Sequence, residues 1–172
     1  MKLPGNTTRT ALVLPAVTCA LLLGFGYYLQ YVRGLEPCPL CMVQRGFFYL
    51  LGSTFIVAAL HGPGRVGAMA YGVLGFLFAA GGAAIASRQV WLQHLPADKV
   101  PQCGPDLFFM LENFPLSQAL QKLLRGSGEC AAVDWKFLGL SIAGWSLVWF
   151  VLFCVYAAWL AMRAVRSPIV AS

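Results

Sequence analysis

Residues 137–162 have the sequence FLGLSIAGWSLVWFVLFCVYAAWLAM, a run of 26 residues without a charged side chain. About 20 apolar residues are needed for a helix to cross the hydrocarbon core of a membrane, where every backbone polar group must be satisfied within the segment. Three further uncharged runs precede this one, of 23, 19 and 22 residues, at positions 10–32, 46–64 and 66–87. The four runs predict an all-α membrane protein, a bundle of four transmembrane helices.

We place the spans at about 11–32, 42–60, 66–87 and 137–162, in a single membrane domain covering residues 1–172. The second span is expected to begin upstream of its short uncharged run. The tetrapeptide His61-Gly62-Pro63-Gly64 predicts a tight turn into the third span, because Pro and Gly do not continue a helix there. A short loop at about 33–41 and a long loop at about 88–136 then lie together on the opposite side from the termini.

The composition excludes several classes of protein. Hydrophobic residues make up 59% of the chain and charged residues only 10%, whereas a soluble domain has about 25% charged residues. This excludes a soluble enzyme and a disordered chain. The net charge of +6 comes from bases that are scattered singly, so no run of bases follows a phosphate backbone and we expect no nucleic-acid partner.

The charges bear on orientation. The terminal side has five bases and no acid, and the loop side has seven bases and all six acids. A count of bases alone would place the loops in the cytoplasm, but bases spread over a long loop weigh less in the positive-inside rule. We therefore favour cytoplasmic termini, and the cysteines support this choice.

Two of the six cysteines, Cys19 and Cys154, fall inside spans, where a thiol behaves as a small hydrophobic group. The other four all lie in the two loops on the acidic side: Cys38, Cys41, Cys103 and Cys130. An even number of loop cysteines on one side suggests disulfides in an oxidising compartment, here the periplasm.

Cys38-Pro39-Leu40-Cys41 is a C-x-x-C motif. Its spacing suits a reactive disulfide, a structural disulfide or half of a zinc site, but no second close pair of ligands follows, and we expect no metal. Cys41 lies where the second helix begins, a position that favours a thiolate. Arg45 lies one turn later and has two interpretations. Its guanidinium stabilises that thiolate or the negative charge developing on an electron acceptor, or its side chain simply extends to the membrane interface.

The long loop contains the second pair of cysteines. Cys103 lies among Pro and Gly residues, and Cys130 follows the stretch Gly126-Ser127-Gly128-Glu129. A disulfide between them would close a large loop and be either open to exchange or a stabilising crosslink. Between them, an apolar stripe predicts a short amphipathic helix lying on the membrane surface or packing on the bundle; it comprises Leu116, Leu120, Leu123 and Leu124.

Residues 88–94 predict an extension of the third helix to the membrane surface. His94, at its end, donates to a carbonyl, relays a proton at the interface or serves a structural role.

Together these features resemble the disulfide bond formation protein B (DsbB) family. The resemblance rests on Pro37-Cys38-Pro39-Leu40-Cys41 at the head of span two, on Gln44-Arg45 one turn later and on the two long-loop cysteines. The stretches Gly128-Glu129-Cys130-Ala131 and Trp135-Lys136-Phe137-Leu138-Gly139-Leu140 are also similar to the family's entry into its last span. The resemblance covers nearly the whole chain.

The resemblance implies a multi-pass protein of the bacterial inner membrane that reoxidises DsbA, a periplasmic dithiol oxidase of thioredoxin fold. It implies that a Cys103–Cys130 disulfide accepts electrons from the partner and that the Cys38/Cys41 pair passes them to ubiquinone or menaquinone of the membrane pool. Arg45 would bind the quinone, and His94 resembles a residue beside the quinone pocket.

Other functions remain open at this point. One is a structural four-span protein with inert loop disulfides, although this leaves an arginine one turn from a C-x-x-C motif unexplained. Another is a quinone-linked reductase resembling vitamin K epoxide reductase, which the motif's position at span two disfavours. A third is a dedicated homologue that serves a different periplasmic thiol protein.

Overall fold

The computed structural model describes residues 5–99, 112–115, 117–118, 128–133 and 135–166. Cys103 lies outside these residues, as does most of the stretch predicted as an interfacial helix, so the expectations for both stay predictions.

Four long helices form the fold: α1 (Gly5–Tyr31), α2 (Pro39–His61), α3 (Arg65–Gln93) and α5 (Ile142–Arg166). Each contains a stretch long and apolar enough to cross a membrane. Shorter elements lie between α3 and α5: a 3₁₀ turn (Ala97–Lys99), a one-turn helix α4 (Gly128–Ala131) and a two-stranded antiparallel hairpin of β1 (Lys136–Phe137) and β2 (Leu140–Ser141). The predicted all-α membrane protein with four transmembrane helices is confirmed.

The ends of α2 have local causes. The helix begins at Pro39 rather than near residue 42, because the fixed φ of proline suits the first helical position and Cys38 before it is extended. It ends at His61, and the next residue, Gly62, has a left-handed backbone (φ 59°) and donates its N–H to the carbonyl of Ala58. The predicted turn at residues 61–64 is therefore present.

The last span begins at Ile142 rather than at residue 137. The intervening residues form the β1–β2 hairpin, whose turn residues Leu138 (φ 50°) and Gly139 (φ 83°) both have positive φ. Such a pair is typical of the tight turns that join adjacent strands. The indole N–H of Trp145 donates to the Phe137 carbonyl at 3.0 Å and ties the hairpin to α5. An uncharged run shows that a segment tolerates lipid, but it does not show where the helix begins.

Glycines let the helices approach closely. A Cβ atom at Gly82 on α3 would lie 2.3 Å from the ring of Phe150 on α5, and one at Gly72 would lie 3.0 Å from the backbone nitrogen of Ala161. The Phe150 ring is fully buried and stacks on Phe48 of α2, with ring centroids 4.1 Å apart. Helix α3 thus packs against both α2 and α5, while α1 packs on α2.

Candidate active site

The C-x-x-C motif forms the N-terminal end of α2. Cys38 is the extended residue just before the helix, and Cys41 lies in its first turn. Their Sγ atoms are 3.2 Å apart and within hydrogen-bonding distance. The intervening Leu40 is fully buried and anchors the motif in the protein. The helix N-terminus favours negative charge on the Cys41 sulfur.

The structure brings a third predicted cysteine to this pair. Cys130 of α4 is fully buried in a small cluster with Cys38, Leu40 and Leu92. A hydrogen bond with Cys130, followed in importance by one with Cys41, raises the pKa of the Cys38 thiol well above its usual value. Two cysteines from the short loop and one from the long loop therefore occupy one site.

Two buried glutamines lie beside the motif, and one of them contacts the sulfur atoms. Gln44 of α2 and Gln89 of α3 are each only 3% exposed. The Nε2 of Gln89 lies 3.1 Å from the Cys41 sulfur and 3.3 Å from the Cys38 sulfur, and its Oε1 accepts a 2.6 Å hydrogen bond from Gln44 Nε2. The sequence alone assigns neither glutamine a role, because a neutral amide near a helix end has no distinctive pattern. In the sequence, Gln44 is recognisable only as part of the Gln44-Arg45 motif of the family.

Arg45 lies one turn beyond Cys41 and binds α1. Its Nη1 donates to Gln30 Oε1 at 2.5 Å, and its Nη2 donates to the Gly26 carbonyl at 3.0 Å. The guanidinium carbon also lies 4.8 Å from the centroid of the Tyr27 ring. A side chain at Gly26 would meet the guanidinium, since a Cβ there would be 3.5 Å from Nε. Arg45 therefore connects α1 to the helix that presents the motif.

His94 occupies a different place. It follows the last residue of α3, is exposed, and its Nδ1 lies 2.7 Å from the Val90 carbonyl. It is not part of the cavity wall described next. The predicted extension of α3 is present, since the helix continues to Gln93, but the proposed contact of His94 with quinone remains a prediction.

A cavity of about 500 Å³ opens beside the motif, between α1, α2, the hairpin and the start of α5. This volume is within the usual range for sites that bind small molecules. Cys41, Gln44, Arg45 and Gln89 are among the polar residues in its wall. The rest of the wall is largely apolar and has a row of aromatic rings: Phe25, Trp135, Phe137, Trp145 and Trp149.

Comparison with known proteins identifies a family. A family model described as disulfide bond formation protein DsbB matches residues 8–160. The chain is 55% identical over 162 residues to disulfide bond formation protein B of Hahella chejuensis, covering 94% of this chain and 96% of that protein. It is 52% identical over 141 residues to the protein of the same name from Nitrosococcus oceani (82% and 83% covered). For that of Chromobacterium violaceum, the identity is 48% over 161 residues (94% and 97% covered).

The resemblance predicted from the sequence is thereby confirmed over nearly the whole chain. Taken with the four apolar helices, these matches assign the protein to disulfide generation at a membrane. The chain belongs to the DsbB family of disulfide bond formation proteins.

Proposed function

We propose that the chain oxidises a DsbA-like periplasmic dithiol protein and passes the electrons to membrane quinone. The observation that supports this most strongly is the position of the C-x-x-C motif between two different surroundings. On one side, Cys38 meets Cys130 from the long loop. On the other, Cys41 lies in the wall of a largely apolar cavity together with Arg45. One side suits thiol exchange, and the other suits an apolar electron acceptor.

We propose a relay of four exchanges. A partner thiolate attacks Cys103 of a Cys103–Cys130 disulfide, and Cys130 leaves as a thiolate. The Cys130 thiolate then attacks Cys38 of the Cys38–Cys41 disulfide, and the electron pair of the broken bond stays on Cys41. The partner's second thiol displaces Cys103, whose thiolate attacks Cys130 and frees Cys38. The partner is then oxidised, and two electrons remain on the Cys38/Cys41 pair.

The buried position of Cys130 against Cys38 supports the central exchange. Thiol–disulfide exchange requires the attacking sulfur to reach the disulfide, and the rate rises with the fraction of thiolate and with the quality of the leaving thiolate. Cys38 receives the attack from the side of α4, while Cys41 lies at the helix N-terminus, where negative charge is favoured.

The cavity fits a quinone ring. Its apolar and aromatic wall suits a lipid-soluble ring, and Arg45 and Gln44 would hold the ring by donating hydrogen bonds to its oxygens. When bound, a quinone supplies an acceptor of two electrons and two protons. A DsbA-type partner has a reduction potential of about −120 mV, so its reoxidation needs a more strongly oxidising acceptor than glutathione. We propose ubiquinone or menaquinone as that acceptor.

We also propose that the chain lies in the bacterial inner membrane with both termini in the cytoplasm. An even number of spans would put the two cysteine-containing loops on the side opposite the termini. Disulfides persist in the periplasm and are rare in the cytosol.

The test is quinone consumption by purified protein in detergent, followed by ultraviolet absorbance, with a reduced DsbA-like dithiol protein as electron donor. Cys41→Ser should abolish the absorbance change. Cys154→Ser is the matched control, because this cysteine lies within α5 and not in the cavity wall. If neither ubiquinone nor menaquinone is consumed while the loop disulfides stay intact, the inert structural protein becomes the better interpretation.

A further inference from the structure

The amide of Gln89 lies within hydrogen-bonding distance of both C-x-x-C sulfurs. It comes from a different helix, α3, and is buried in the packing between α3 and α2. Each of its two amide atoms has a partner from the motif or from α2: the Nε2 faces both sulfurs, and the Oε1 faces Gln44. In this arrangement the NH₂ group of the amide is turned toward the sulfurs and its oxygen toward Gln44.

Gln44 determines that orientation. Its Nε2 donates to Gln89 Oε1 at 2.6 Å, which favours the orientation in which the NH₂ group of Gln89 faces the sulfurs. Cys41 Sγ also lies 3.5 Å from Gln89 Oε1. If the Gln44 donor were removed, the reversed orientation of the Gln89 amide would therefore be tolerated. The reversed amide would present an acceptor to the sulfurs and could not stabilise a thiolate.

Arg45 does not take this place. The two guanidinium nitrogens for which the structure shows hydrogen bonds donate to Gln30 and to the Gly26 carbonyl on α1, not to a sulfur atom. Its charge acts on the motif through space, whereas the direct donor to both sulfurs is the neutral amide of Gln89.

We propose that Gln89 is a catalytic residue that holds the leaving thiolate of Cys41, and that Gln44 is the positioning residue that aims it. The inference rests on the proposed function, since it concerns the attack of Cys130 on the Cys38–Cys41 disulfide. In that step the Cys130 sulfur bonds to Cys38, the Cys38–Cys41 bond breaks, and its electron pair stays on Cys41. A hydrogen bond to the departing thiolate makes it a better leaving group.

The first test measures Cys41 directly. The fully reduced chain is alkylated with iodoacetamide over a range of pH, and fragment-ion mass spectrometry separates modification of Cys41 from that of Cys38. A charge-assisted hydrogen bond is worth on the order of tenfold or more in the thiolate population. Gln89→Met should therefore slow Cys41 alkylation at pH 7 about tenfold and move the half-maximal rate upward by about one pH unit.

Three further variants make this result specific. Gln89→His keeps an N–H donor and should restore most of the rate. Gln44→Leu keeps Gln89 but removes the hydrogen bond that orients its amide, so the rate of Cys41 alkylation should fall less than in Gln89→Met. Gln93→Met is the matched control, because Gln93 lies one turn along α3 in the same cavity wall but accepts from Ser141.

The other titratable and charged groups around the pair, within the described part of the chain, are unchanged in all variants, so they do not cause a difference between them. They are Cys38, Arg45, Cys130, Glu36 and Glu129. A Gln89→Met profile within twofold of the parent, in protein with unchanged helix content, would overturn the proposal.

The second test measures the exchange step. In Cys103→Ser, Cys130 is left to attack the Cys38–Cys41 disulfide, and mass spectrometry gives the equilibrium ratio of Cys38–Cys130 to Cys38–Cys41. Adding Gln89→Met should lower this ratio about tenfold, and an unchanged ratio would also overturn the proposal. Neither test uses quinone or a protein partner. If the quinone assay shows no activity, both Gln89 tests can still be interpreted. If the Gln89 tests fail, the result of the quinone assay still stands.

Discussion

Substitution of Arg45 separates a helix clamp from a quinone ligand. Arg45→Met keeps the length of the side chain but removes its charge and two hydrogen bonds to α1. Each charge-assisted hydrogen bond contributes about 1.5–3 kcal/mol, and the contact with the Tyr27 ring adds about 0.5–1 kcal/mol at a partly exposed site. Since Gln30 and Arg45 are half-buried and water replaces part of this loss, we expect a destabilisation of about 2–4 kcal/mol.

The same substitution should weaken quinone binding. Arginine has five N–H donors, of which two are engaged with α1, so donors remain for a ring oxygen in the cavity. Loss of one charge-assisted hydrogen bond raises the apparent KM for quinone by about tenfold to a hundredfold. Arg45→Lys keeps the charge but cannot bridge both acceptors on α1. Arg45→Lys should therefore lower the melting temperature, but it should raise the KM for quinone less than Arg45→Met does.

The assay combines the KM for quinone, from absorbance, with the melting temperature of each variant in detergent. Arg88→Met is the control, because Arg88 packs over Trp91, with its guanidinium carbon 4.2 Å from the ring centroid, and does not line the cavity. A KM for Arg45→Met within twofold of the parent, together with a lowered melting temperature, would exclude Arg45 as a quinone ligand and leave it as a clamp between helices.

Three further predictions concern other parts of the chain. Cys103→Ser should abolish oxidation of the dithiol partner while the C-x-x-C disulfide still forms, as disulfide mapping will show; continued partner oxidation would exclude Cys103 as the point of entry. Gly82→Ala should cost about 1–3 kcal/mol because a Cβ there would lie 2.3 Å from the Phe150 ring; in Gly24→Ala the added Cβ would meet no described atom within 4 Å beyond its own turn of helix, so this variant should melt no lower than the parent, and equal melting of both variants would contradict the packing. Because the pKa of Cys38 is raised in the folded chain, its contribution to the stability of the reduced protein is complete below about pH 8.5 and declines at higher pH; Cys38→Ser should remove this decline, and an identical pH profile in the variant would count against it.

The sequence predicts much of this fold because a membrane imposes simple rules. Uncharged runs of sufficient length must be helical in lipid, so the number and order of the spans follow from the positions of the charges. The ends of the spans depend on local features that hydropathy does not report. Pro39 starts α2 earlier than its uncharged run suggests, and the Leu138-Gly139 turn starts α5 later.

The site is predicted in part. The C-x-x-C motif and Arg45 stand out by spacing, and their position at the start of a helix follows from the span assignment. The contact of Cys130 with Cys38 depends on how the long loop folds back, which spacing along the chain does not determine. Gln89 is recognisable only when α3 is packed on α2, because its role arises from contacts with residues 45 and 48 positions away in the sequence.

The most direct test of the account is to identify the disulfides formed during a single turnover. The parent protein is mixed with one equivalent of reduced DsbA-like protein, quenched with acid at successive times, and its disulfides are mapped by mass spectrometry. We expect a transient Cys38–Cys130 disulfide that appears before the Cys38/Cys41 pair is fully reduced. If only Cys38–Cys41 and Cys103–Cys130 bonds are found at every time while the partner is oxidised, electrons do not pass from Cys130 to Cys38 and the relay is wrong.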